Sequence, residues 1–162
     1  MKMFEKSGAS FSECRKYRYA LWRIWDESKP NIAFMGINPS TANETEPDNT
    51  IKRVIAIARH NSFGGIYMIN LFALVSKDPD LLSTHPDPIG DNDRYINLVQ
   101  GQVWGIVCAW GAFKQARQRA KQLFPMIGNP LAINVLKDGS PQHPLFCKSC
   151  TKLIEFKNYN IL

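Results

Sequence analysis

The stretch Asn31–Ser40, NIAFMGINPS, decides how the chain is read. A short apolar run, Ile32 to Met35, passes directly into Gly36, Asn38, Pro39 and Ser40. That order describes a buried strand delivered into a tight turn. Gly36 lets a ligand approach the backbone with no Cβ in the way. Asn38 sets an amide, both donor and acceptor, at the carboxyl end of the strand. In open α/β sheets that end is where ligands bind. An ordinary strand-to-loop turn uses the same residues, so the stretch gains meaning from what repeats elsewhere.

The 162 residues suit one domain, 1–162, long enough to bury a core. A hydrophobic fraction of 44% and a charged fraction of 21% are ordinary for a globular protein. No apolar run approaches the roughly 20 residues that span a bilayer. The opening MKMFEKSGAS has no apolar core of a secretory signal. The expectation is a cytoplasmic monomer with no membrane partner. Of four cysteines, Cys147 and Cys150 form a CxxC without a second pair, so no metal is expected. Cys108 lies in an apolar run as a small hydrophobe. No motif asks for a cofactor. A net charge of +6 permits nucleic acid as a partner without requiring it.

Outward from the opening stretch, residues 1–14 carry weak patterning and read as an arm. Tyr17–Trp25 reads as an aromatic-rich strand, expected at a sheet edge and antiparallel to 31–38. Ile51, Val54, Ile55 and Ala58 fall at helical spacing, with Asn49 or Thr50 as N-cap. Gly65–Leu74 is a continuous apolar run broken by one polar side chain, Asn70. Such runs fit strands buried on both faces. Residues 76–94 read as a long loop, and His85, Asp87, Asp91 and Asp93 within it as solvated capping groups rather than a metal cluster. Residues 93–102 suggest a short helix, and 103–110 a strand ending in Trp110-Gly111. In Ala112–Phe124, Phe113, Ala116, Ala120 and Leu123 make an apolar stripe, with Lys114, Arg117, Arg119 and Lys121 outward. Residues 131–136 form a further strand before a loop that holds His143. Alternating strands and helices predict an α/β protein. The expected form is a three-layer α/β/α sandwich with a mostly parallel sheet, its central strands at 32–37, 66–71, 105–110 and 131–136.

Four polar points now stand at the carboxyl ends of successive strands. They are Gly36-Ile37-Asn38-Pro39, Asn70, Trp110-Gly111, and the 139–144 loop with His143. In a parallel sheet these ends converge on one crevice. Two amides and an imidazole there suit a hydrolase or a nucleobase pocket equally.

Gly36-Ile37-Asn38-Pro39 resembles the first motif of the uracil-DNA glycosylase superfamily, in the form used by its mismatch-specific uracil/thymine branch. Ile69–Leu74 is similar to the strand bearing that superfamily's base-reading asparagine. Val103–Lys114 resembles its third strand and following helix, and His143-Pro144-Leu145 its last motif. The resemblance covers about residues 31–147 and implies a uracil-DNA-glycosylase-like core. The chain also resembles a family of small bacterial and phage proteins of unknown function, through its GINPST, NLFAL and GSPxHPL segments. Where the strongest uracil glycosylases carry an aspartate and a tyrosine, this chain has Asn38 and Ser40. The nearest downstream aromatic is Phe63.

The resemblance implies roles. Asn38 positions a water, His143 donates to a base carbonyl, and a carboxylate, Asp48 or Glu44, assists. Gly36, Ile37, Asn70 and Phe72 bind the base. Ser40, Lys137 and the backbone N–H groups of Gly139 and Ser140 take phosphates, while Leu145 or Phe146 fills the space left by a flipped base. Three readings follow. They are a DNA glycosylase, a hydrolase of free nucleosides or nucleotides, and a nucleic-acid-binding module without chemistry.

Overall fold

A computed structural model of the protein describes residues 4–41 and 48–157. Glu44 and the neighbouring Glu46 lie outside the described residues. Seven strands form one mixed sheet: β1 (Lys6–Phe11), β2 (Arg18–Ile24), β3 (Asn31–Gly36), β4 (Gly65–Asn70), β5 (Ile106–Cys108), β6 (Pro130–Ala132) and β7 (Ile154–Glu155). Their spatial order is β1-β2-β4-β3-β5-β6-β7. The expected α/β class holds, but the sheet is parallel only at its centre. β4, β3, β5 and β6 run parallel, and β1, β2 and β7 are antiparallel additions.

Two expectations for the first thirty residues are corrected. Residues 6–11 are a strand, whose half-exposed edge position explains its faint pattern. Tyr17–Trp25 is not at the edge and does not pair with β3. β2 lies between β1 and β4, because both sides of β3 are taken by parallel neighbours. The turn after β2 is held to the start of β4 instead. Trp25 N and Asp26 N both donate to Gly64 O at 2.9 Å.

The near-continuous apolar runs are explained by two cores, one on each face of the sheet. Ile32 and Phe34 of β3 point to one core, Ala33 and Met35 to the other. Helix α1 (Asn49–His60) covers the first face with Ile51, Val54, Ile57 and Ala58. Helices α3 (Asn92–Gln100) and α4 (Lys114–Leu123) cover the second with Ile96, Val99, Ala116, Ala120 and Leu123. Each large side chain so buried contributes about 1.5–3 kcal/mol.

The long loop is more structured than its sequence suggests. It holds the single turn α2 (Leu81–Thr84), and Asp87 Oδ1 accepts from Ile89 N and Gly90 N at 3.1 and 2.9 Å. Among the described residues no three His, Cys, Asp or Glu side chains group as metal ligands. No helix among them is long and apolar enough to cross a membrane. On α4 the outward and inward sets differ from expectation. Arg119 is buried, donating to Leu71 O at 2.9 Å and pairing with Asp93. Phe113 precedes the helix in extended conformation and leaves the apolar stripe.

Candidate functional site

The β3–β4 pair builds the floor of a cavity of about 170 Å³. Gly36 sits opposite Asn70 in the parallel register. A Cβ at Gly36 would fall 2.8 Å from Asn70 Oδ1 and 2.9 Å from Met68 Cε. A side chain here would have to push aside the Asn70 amide and the end of Met68, so glycine preserves the amide's position. Past the strands the two backbones stay joined, with Leu71 N bonded to Gly36 O and Phe72 N to Ile37 O at 2.9 Å.

The two asparagines divide the work. Asn38 Nδ2 donates to three main-chain carbonyls, Pro39 O at 3.1 Å, Leu74 O at 3.2 Å and Ser76 O at 2.8 Å. That amide staples the turn after β3 to the segment after β4, leaving Oδ1 as its acceptor. Asn70 is 2% exposed, yet its side chain has no hydrogen bond among the described residues, and it lines the cavity. Its main chain is held by Asn92, whose Nδ2 donates to Asn70 O and Leu71 O. The amide is not sealed off as a buried orphan; it is reached from the cavity, where water or a ligand can satisfy it.

His143 joins the cavity from the start of a 3₁₀ turn, Pro144–Phe146. Its Nδ1 accepts from Leu145 N at 3.2 Å. That bond assigns the proton of the neutral ring to Nε2, which is then a donor. Burial pushes the imidazole below its usual pKa, against an opposing pull from Asp48, so the neutral form prevails at pH 7. Gly111, at φ +75°, turns the β5–α4 connection beside this ring; a Cβ there would lie 3.5 Å from His143 Cβ.

The cavity thus brings together Gly36, Ile37, Asn38, Ser40, Asp48, Asn70 and His143. Asp48 is also the N-cap of α1, in place of Asn49 or Thr50. Its Oδ1 accepts from Ile51 N at 2.9 Å. Leu145 and Phe146 line an adjoining apolar groove of about 660 Å³, with Gly111, Phe113 and Leu136. Phe113 and His143 belong to both hollows.

The remaining expected residues lie elsewhere. Phe72 is buried beside a separate hollow near Leu82 and Arg119. Lys137 is exposed outside the cavity. Gly139 N and Ser140 N are already bonded to Leu136 O and Asp138 Oδ1, both at 2.9 Å. They offer no phosphate cradle, because a turn and its aspartate consume both donors. Cys147 is buried, and its carbonyl accepts from Arg53.

Sequence reading missed Arg18, Lys77 and Phe113, all of which line the cavity. Phe113 brings an aromatic ring to the cavity lining from a loop more than seventy residues beyond β3. Arg18 was hidden by its place in an aromatic strand, where alternation marks a face but not a partner.

With fold and cavity defined, the class is an α/β protein with a polar site at the carboxyl ends of parallel strands. The chain belongs to the family described as Protein of unknown function (DUF1643), which it matches over residues 18–145. No curated protein and no solved structure matches it.

Proposed function

We propose that the cavity binds a nucleobase and that the protein is a DNA-glycosylase-like enzyme that hydrolyses its N-glycosidic bond. The observation that carries this reading is the open amide of Asn70. It is buried, has no partner among the described residues, and shares a small cavity with the donor Nε2 of His143. A cavity of about 170 Å³ is smaller than the ~300–1,000 Å³ of drug-sized sites and suits a base-sized group.

In this reaction the C1′–N bond breaks and its electron pair leaves on the base. Water oxygen then bonds to C1′ and loses its proton. His143 donates to a base carbonyl where the negative charge develops, which is the kind of interaction that acts in the transition state. Asn70 pairs with a base edge, and Phe113 offers a ring face at the entrance. Asn38 Oδ1 accepts from the water. Asp48 Oδ2, the carboxylate oxygen not capping α1, takes the proton. Leu145 and the 79%-exposed Phe146 stand beside the entrance as apolar groups able to replace a flipped base.

The test is incubation with oligonucleotides carrying normal, deaminated and modified bases, followed by alkali. Strand scission at one base, lost in His143→Ala, is the expected result. If every base in the panel survives, and free nucleosides survive as well, the hydrolytic reading is rejected.

A further inference from the structure

Arg18, on β2, is 6% exposed and lines the cavity. Its NH1 donates to Thr41 O at 3.2 Å, while its Nε is sealed from solvent with no hydrogen-bond partner among the described residues. Among the described residues no carboxylate forms an ion pair with it. Asp48 acts on it only at longer range, and burial depresses its pKa without removing its charge. A buried guanidinium with one carbonyl for company is costly unless something else neutralises it.

The surroundings lean the same way. The first turn of the twelve-residue α1 opens on the cavity through Thr50 and Ile51, bringing the positive end of its dipole. Lys77 stands exposed at the rim. The one described carboxylate lining the cavity, Asp48, already accepts a helix N–H.

We propose that Arg18 makes this cavity an oxyanion subsite, and that the anion it takes is the phosphate of a nucleotide. The subsite stands on Arg18 alone; assigning its phosphate to a nucleotide rests on the nucleobase reading above. The substrate class is thereby narrowed from free bases and nucleosides to phosphate-bearing nucleotides, either free or within a strand.

The experiment measures thermal unfolding in inorganic phosphate against chloride at equal ionic strength. Binding of a deoxynucleoside, its 5′-monophosphate and a short single-stranded oligonucleotide is then compared. Wild type should be stabilised by phosphate and should bind the monophosphate more tightly than the nucleoside. Loss of a charge-assisted contact predicts that Arg18→Met erases roughly 10- to 100-fold of that preference. Without phosphate, Arg18→Met should melt at or above the wild-type temperature, because an uncompensated cation has been removed. Should it fail to fold, Arg18→Lys carries the test. It keeps the charge but loses the planar fork, so the preference should shrink. Oligonucleotide binding without monophosphate binding would place the phosphate in a strand.

Phosphate that fails to stabilise the wild type, or stabilises Arg18→Met equally, overturns the subsite. Nucleoside binding sensitive to Asn70→Ala would then leave the base reading standing. Conversely, phosphate binding that needs Arg18, with no nucleoside or nucleotide bound, keeps the subsite and removes the base reading.

Discussion

Among the arginines sealed into this molecule to nearly the same depth, Arg119 on α4 at 5% exposure and Arg18 on β2 at 6% make the sharpest contrast. Arg119 is committed to the fold: its Nε donates to Leu71 O and it pairs with Asp93, locking α4 and α3 to the end of β4. Among the described residues Arg18 has one carbonyl partner and its Nε has none. Equal burial therefore hides opposite roles. On the second face Arg119 is spent on structure, while in the cavity Arg18 is held back. The asparagines repeat the contrast, with Asn38 stapling loops and Asn70 left open.

The contrast breaks if open-side substitutions cost stability, or if brace-side ones cost only function. The largest expected effect is at His143. On a verified substrate, His143→Ala should lower the single-turnover rate by ~10²–10³ with little change in affinity, as removal of one preorganised donor does. Urea denaturation should find this variant folded.

Next comes Arg119→Met, expected to destabilise by roughly 1.5–3 kcal/mol through loss of charge-assisted bonds. Asp93 is half exposed and can be hydrated, which keeps the cost below that of a fully buried pair. A denaturation midpoint equal to wild type would show that Arg119 is not a brace.

Asn70→Ala should relax discrimination among bases by ~1–3 kcal/mol and leave the melting temperature nearly unchanged. Asn38→Ala should do the reverse, costing about 1 kcal/mol of stability by stranding carbonyls it now satisfies. If Asn70→Ala proves the less stable of the two, the division between them is wrong.

The smallest effect is on pH. His143 has a folded pKa below its unfolded value, so between the two the unfolded chain binds more protons. Its contribution to stability is full above about pH 6.5 and falls as pH drops toward the folded pKa. His143→Gln should flatten that acid limb. An unchanged limb would show that the ring is not held neutral.

Local patterning was enough for the strands at 31–36 and 65–70, for α1 and for the body of α4, because their apolar periodicity reports burial directly. The polar residues at strand ends were likewise legible as a convergent set, since parallel strands align their carboxyl ends. Pairing was not legible. Nothing within Tyr17–Trp25 says that its neighbour is β4 rather than β3, because pairing depends on which edges other segments have already filled. Nor does a sequence count hydrogen bonds. Gly139 and Ser140 look like a phosphate loop until Leu136 and Asp138 are found to hold their N–H groups. Asn38 and Asn70 are identical in type, and Arg18 and Arg119 likewise. Residue type and spacing determined that such groups stand near strand ends and helix faces. Which of them are satisfied by protein, and which remain for a ligand, was decided only by tertiary contacts from segments distant in the chain.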